Sequence, residues 1–191
     1  LDKYIWQGVA SWLRGRIDQG LRVIPISLNV SRVDILACDV AEHMGALAAQ
    51  YNLPPELMRI EITETAYTGE SEAVDKLTAD LHNQGFSTYM DDFGTGQSTL
   101  AMLKNVNVDV IKLDRTFLPD GKTDNRSSQI VSSMLEMAQS LHLPVVVEGI
   151  ETNEQAQLLR QMGARYAQGF LYHRPMPAKD FEALLDTADN N

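Results

Sequence analysis

Short β-rich apolar runs alternate with amphipathic helical stripes along almost the whole chain, and this alternation constrains the fold more than any other feature. Val23 to Leu28, Leu57 to Ile62, Phe86 to Met90, Val108 to Leu113, Pro144 to Val147 and Arg165 to Ala167 read as six strands. Between them, apolar residues recur at steps of three and four. Ile5, Val9 and Trp12 mark a first helix. Val40, Met44, Leu47 and Tyr51 mark a second over residues 38–51, which Asn52-Leu53-Pro54-Pro55 breaks. Val74, Leu77 and Leu81 mark a third that stops near Gly85, and Ile130, Met134, Met137 and Leu141 mark a fourth. Thr152 and Gln155 form a capping box for a helix ending at Gly163, and Phe181, Leu184 and Leu185 lie on a last helix. Residues 119–128 are polar and read as an exposed loop. No linker divides the chain, and its 191 residues suit one domain. The pattern specifies a parallel sheet covered by helices. It leaves open whether the sheet is doubly wound or an incomplete barrel, because six strands fall short of eight.

A polar or charged residue closes each apolar run. Asn29 follows Ser27-Leu28, Glu61 sits in Arg59-Ile60-Glu61-Ile62, and Glu64 comes three residues later. Asp91 and Asp92 follow Met90, Lys112 and Asp114 flank Leu113, Glu148 follows three valines, Glu151 comes three later, and Gln168 follows Ala167. In a parallel α/β fold the carboxyl ends of the strands share one face, so these side chains are expected to converge. Unpaired, such carboxylates would repel one another. Oxygen donors without sulfur or imidazole suit hard divalent cations such as Mg²⁺ or Mn²⁺. Adjacent aspartates suit a pair of metals. Asp92-Phe93-Gly94-Thr95-Gly96-Gln97-Ser98 reads as a mobile loop next to that site, with Glu64 placed to accept its N–H or hydroxyl hydrogen bonds. Lys112 is expected to be partly buried beside the anions, charged and able to orient a water.

Charge and cysteine usage narrow the partners. A formal net charge of -10 argues against polymeric nucleic acid, which needs Lys and Arg at its phosphates. It is compatible with a small anionic ligand held through cations. No apolar run is long enough to span a bilayer, so no membrane contact is expected from this segment. The single cysteine, Cys38, reads as a buried structural thiol, and the cytosol is the natural compartment. His43, His82 and His142 read as helix or helix-end residues.

Six ordered stretches then resemble the EAL family of bacterial cyclic di-GMP phosphodiesterases. They are Ser27-Leu28-Asn29-Val30-Ser31, Glu61-Ile62-Thr63-Glu64, Asp91-Asp92-Phe93-Gly94-Thr95-Gly96, Ile111-Lys112-Leu113-Asp114-Arg115, Glu148-Gly149-Ile150-Glu151-Thr152 and Gln168-Gly169-Phe170. The resemblance implies a modified (β/α)8 barrel of the TIM type, incomplete here, with about six parallel strands and surrounding helices. It implies hydrolysis of cyclic di-GMP to linear pGpG by a two-metal mechanism with Mg²⁺ or Mn²⁺. The alternative is a non-catalytic receptor that binds cyclic di-GMP and signals to a partner.

The resemblance also implies roles for single residues. Asn29, Glu61 and Asp91 would bind the first metal, and Asp91, Asp92 and Glu148 would serve the second. Lys112, Glu148, Asp92 and Gln168 form the expected catalytic set, Lys112 by steering the water and Gln168 by completing the floor. Glu64, Glu151 and Asp114 form the expected cofactor-binding set, the two glutamates by holding the lid loop. The Glu-Ala-Leu segment that names the family precedes its first helix. Residues 1–191 are therefore expected to be a single domain lacking its N-terminal strands, with weak or no turnover in isolation. Glu182-Ala183-Leu184 is a decoy on an amphipathic helix. Smaller departures are Val147, where Ala is usual, and Gln97, where an aromatic is common. The resemblance leaves room for a homodimer, and for GGDEF or sensory domains in a longer, even membrane-anchored, parent protein.

Overall fold

The computed structural model describes residues 1–69, 71–95, 107–118 and 125–187. Helix α1 (Asp2–Asp18) leads into β1 (Ile26–Val30), followed by α2 (Arg32–Ala37) and α3 (Val40–Tyr51). Then come β2 (Met58–Thr63), α4 (Glu64–Gly69), α5 (Ser71–Asn83), β3 (Ser87–Phe93) and β4 (Val110–Leu113). A 3-10 turn (Arg115–Phe117) follows, then α6 (Asn125–Ser140), β5 (Val145–Val147), α7 (Asn153–Gln161), β6 (Tyr166–Ala167) and α8 (Ala178–Thr187). The six strands are ordered in the sheet as they are in the chain, β1-β2-β3-β4-β5-β6. The pairs β3–β4, β4–β5 and β5–β6 are parallel. A doubly wound sheet reverses its order at a switch point, whereas unbroken order is the winding of a (β/α)8 barrel.

The chain forms two compact units. One comprises residues 1–61, 72–88 and 175–191, and the other residues 62–71 and 89–174. In the first, Leu13, Leu28, Met44, Met58, Ile60 and Leu81 are fully buried. There α1 packs on α3 and β1, and the Trp6 indole N–H donates to the Asn29 carbonyl at 3.0 Å. In the second, Ile62, Met90, Leu113, Ile150 and Leu159 are fully buried. Among the described residues no helix is long and apolar enough to cross a membrane.

Helices form where the periodicity places them, but two of them bury a neighbouring stripe. On α1 the buried residues are Trp6, Ala10, Leu13 and Arg16, while Ile5 is exposed. On α6 they are Val131, Leu135 and Ala138, while Ile130, and Leu141 just past its end, are exposed. Both offsets equal one residue. A stripe at 3.6-residue spacing is compatible with either of two adjacent faces, and tertiary packing chooses between them. Trp6 decides the matter on α1, because its ring also packs against His43.

The expected helix 38–51 begins later, at Val40. Cys38 is extended, and Asp39 caps α3 by accepting the Glu42 N–H at 2.9 Å. Cys38 is half-buried rather than buried, its thiol 3.4 Å from the Asp34 carbonyl. The first strand starts at Ile26 instead of Val23, just after Pro25, which lacks an N–H for a ladder. Residues 125–128, expected in a loop, open α6, where Asn and Ser are at home near a helix start. Residues 119–124 lie outside the described residues, as do Gly96, Gln97 and Ser98 of the expected lid loop.

Candidate metal centre

The carboxyl ends of β3, β4 and β5 supply the candidate site, and its shape depends on a defect in the ladder. Met90 pairs with Ile111 and Phe93 with Leu113, so β3 advances three residues while β4 advances two. The extra residue is a β-bulge. Successive side chains on a regular strand point to opposite faces. Here Asp92 turns into the left-handed region, at φ 56°, and Asp91, Asp92 and Glu148 each bring a carboxylate oxygen within 4.8 Å of the others. Left-handed backbone costs an L-residue about 1 kcal/mol, less for Asp than for most. Local hydrogen bonds hold it: the Thr95 N–H and hydroxyl both donate to the Asp92 carbonyl, at 3.2 and 2.9 Å, and the Asp92 N–H donates to Asp91 Oδ1 at 3.1 Å.

Lys112 lies among these acids. It is 5% exposed, and its Nζ is 2.8 Å from Asp91 Oδ1 and 2.9 Å from Glu148 Oε1. The Glu148 N–H donates to the Leu113 carbonyl at 3.0 Å, which ties the ends of β4 and β5 together. Three carboxylates gather around one buried ammonium, so like charges crowd the site. Asp92 registers the excess: burial first, then the charges of Asp91 and Asp114, push its carboxyl above the ordinary aspartate range, against the pull of Lys112. A divalent cation would relieve this, and the all-oxygen donor set fits a hard ion. The residues present therefore fit the metal that the sequence suggests.

The other expected residues divide into several kinds. Glu64 is 0% exposed, and its Oε2 accepts the Gly94 N–H at 2.7 Å, just past the paired aspartates. Asp114 is engaged locally: its Oδ1 accepts the Thr116 N–H at 2.9 Å and caps the 3-10 turn. Burial pushes Asp114 up, but the Thr116 hydrogen bonds, then Arg115, outweigh it and hold the carboxyl below the ordinary range. Glu151 is exposed at the start of α7, its N–H donating to Gln155 Oε1 at 2.9 Å. Gln168 is also exposed, and its backbone joins Val147 and Ile150, at 2.8 and 3.0 Å. Asn29, exposed on β1, and Glu61, 7% exposed on β2, belong to the other compact unit. Glu182 of the decoy segment accepts the Trp12 indole N–H at 2.6 Å.

Sequence reasoning did not anticipate the bulge or the left-handed Asp92. The available signal was the Asp-Asp pair itself. Two adjacent strand residues cannot serve one site without an irregularity, and Asp tolerates φ above zero better than most residues.

Comparison with known proteins adds an independent line. The EAL domain description matches residues 2–175. Cyclic di-GMP phosphodiesterase RocR of Pseudomonas aeruginosa is 37% identical over 183 residues, covering 95% of this chain and 47% of RocR. The EAL domain of Mycobacterium smegmatis DcpA superposes with a TM-score of 0.88 at 30% identity, covering 97% of this chain and 83% of that one. The PaMucR phosphodiesterase in its c-di-GMP complex superposes with a TM-score of 0.84 at 27% identity, covering 94% and 78%. The chain spans less than half the length of the first curated relatives it matches. The six-strand winding and the match over nearly the whole length agree: the chain belongs to the EAL domain family.

Proposed function

We propose that this chain carries the phosphodiesterase chemistry of a cytoplasmic cyclic di-GMP hydrolase, opening one phosphodiester to give linear pGpG. The observation that supports this most is the meeting of Asp91, Asp92 and Glu148 around a buried Lys112. Two ions of Mg²⁺ or Mn²⁺, when bound, would supply Lewis acidity toward the phosphate and an activated water. Asp91, Asp92 and Glu148 are the residues to hold them. Asn29 and Glu61 are assigned to the first metal on the family resemblance alone. Lys112, buried beside Asp91 and Glu148, would orient the water and offset charge at the phosphorus. Glu64 restrains the segment after the aspartates through Gly94. Gln168 and Glu151 follow the family assignment, the first on the floor and the second toward the lid. Asp114 supports the site through its turn.

The test is to incubate the full-length protein containing this chain with cyclic di-GMP and either metal. Appearance of pGpG is the expected result. Tight binding without pGpG under both metals points to a receptor. Absence of both binding and turnover overturns the proposal.

A further inference from the structure

The turn that follows β4 touches the loops after both acidic strands. A Cβ built on Gly94 would lie 2.4 Å from Cε2 and 2.5 Å from Cζ of Phe117. The edge of the Phe117 ring is therefore pressed against the backbone just past Asp91-Asp92. A Cβ built on Gly149, the residue after Glu148, would lie 2.3 Å from Cβ of Arg115. Both glycines have positive φ, 95° and 73°. Arg115 and Phe117 are the two ends of one 3-10 turn. Asp114 caps that turn, and the Leu118 N–H closes it on the Arg115 carbonyl at 2.9 Å. Three residues before Arg115, Lys112 reaches Asp91 and Glu148.

The chemistry near the carboxylates does not explain why an apolar ring belongs there. Gly94 is also the residue whose N–H Glu64 holds at 2.7 Å. It is thus fixed by the hydrogen bond its N–H donates to Glu64 and by steric contact with Phe117. Two residues upstream, Asp92 occupies a backbone region that persists only where its surroundings impose it. We propose that Phe117 is a positioning residue, which seats Gly94 against Glu64 and so keeps the bulged Asp91-Asp92 pair aimed at Glu148. This rests on the reading of those three carboxylates as metal ligands. Side chains that orient ligands typically change metal affinity when removed, without touching the ion themselves.

The inference is tested on the full 191-residue chain as Phe117→Ala and as Phe117→Met, which keeps a long apolar side chain. Amide hydrogen exchange by NMR on the metal-free protein reports the seating of Gly94 directly. In the parent, the Gly94 N–H is expected to be protected. In Phe117→Ala its protection is expected to fall about tenfold or more, while the β5 amides of Val146 and Val147 keep theirs, and Phe117→Met is expected to retain most of it. Titration with Mn²⁺ alone, read by electron paramagnetic resonance, is expected to show about tenfold weaker binding for Phe117→Ala and near-parent binding for Phe117→Met. Unchanged Gly94 exchange in Phe117→Ala would overturn the proposal, and so would equal loss of protection throughout β5, which marks general packing. If the parent itself takes up no Mn²⁺, the metal reading fails, and the exchange data still decide whether Phe117 seats Gly94.

Discussion

The ends of β3 and β4 carry acids of the same type, three residues or fewer past an apolar run, and put them to opposite use. At β3, a bulge and a left-handed residue turn Asp92 toward Asp91 and Glu148, and burial among like charges holds its carboxyl up. At β4, the backbone runs straight into a 3-10 turn, and Asp114 is consumed as its cap, held down by the Thr116 hydrogen bonds. The difference teaches that an acid at a strand end is a candidate ligand only if the local backbone leaves it without a nearer donor. Asp92 sits among like charges that a cation would relieve. Asp114 has N–H donors within its own turn.

The largest expected effect falls on the β3 side. Asp92→Asn should weaken Mn²⁺ binding about a hundredfold by isothermal titration, whereas Asp114→Asn should leave it within about threefold, because Asn also caps. Comparable losses in both variants would erase the distinction. Next in size is Lys112→Met. Removing the buried ammonium takes away the cation that Asp91 and Glu148 both contact. Thermal or urea unfolding in a chelator should show a loss of about 3 kcal/mol, part of which Mn²⁺ restores. No recovery on adding metal would mean that Lys112 and a cation do not exchange roles.

Asp114→Ala should cost about 1 kcal/mol of stability, the typical worth of a capping side chain. A change in Mn²⁺ affinity no larger than a few-fold is expected alongside. The smallest effect is in pH dependence, where the two aspartates have opposite signs. Asp92 has a folded-state carboxyl raised above its unfolded value, so the metal-free folded chain binds more protons there. Its contribution to stability improves as pH falls through that raised value and is lost as pH rises. Asp114 is depressed, so its contribution is present above the ordinary aspartate range and disappears as pH falls below it. Proton competition at Asp92 should also weaken Mn²⁺ binding, starting at a higher pH than for an ordinary aspartate. Chelator-treated Asp92→Asn and Asp114→Asn, unfolded across pH 3 to 7, should lose these two slopes separately.

Much of this was legible in the residues. The strand runs place six strands within a few residues, because β-rich apolar clusters bounded by Pro, Gly and Asn leave few alternatives. The capping box at Thr152 and Gln155 is present as read, since its chemistry is wholly local. What escaped depends on distant partners. The choice between Ile5 and Trp6 as the buried face of α1 is made by Asn29 and His43, which are remote in sequence. The bulge at Asp91-Asp92 depends on register against β4, and within β3 only the Asp-Asp pair hints at it. Phe117 carries no signal in the sequence, and its contact with Gly94 emerges only from the fold. The decoy Glu182 was separable from the strand-end acids because it lies at helical spacing, and its hydrogen bond to Trp12 accounts for it.

Diffraction from a crystal grown with Mn²⁺, recorded so that manganese scatters anomalously, is the most direct check on whether these three acids are a metal centre. The expected result is a peak within roughly 2.0–2.5 Å of oxygens from Asp91, Asp92 and Glu148, with the Lys112 ammonium displaced from at least one of them. A map with no such peak, and Lys112 still joining Asp91 to Glu148, would contradict it.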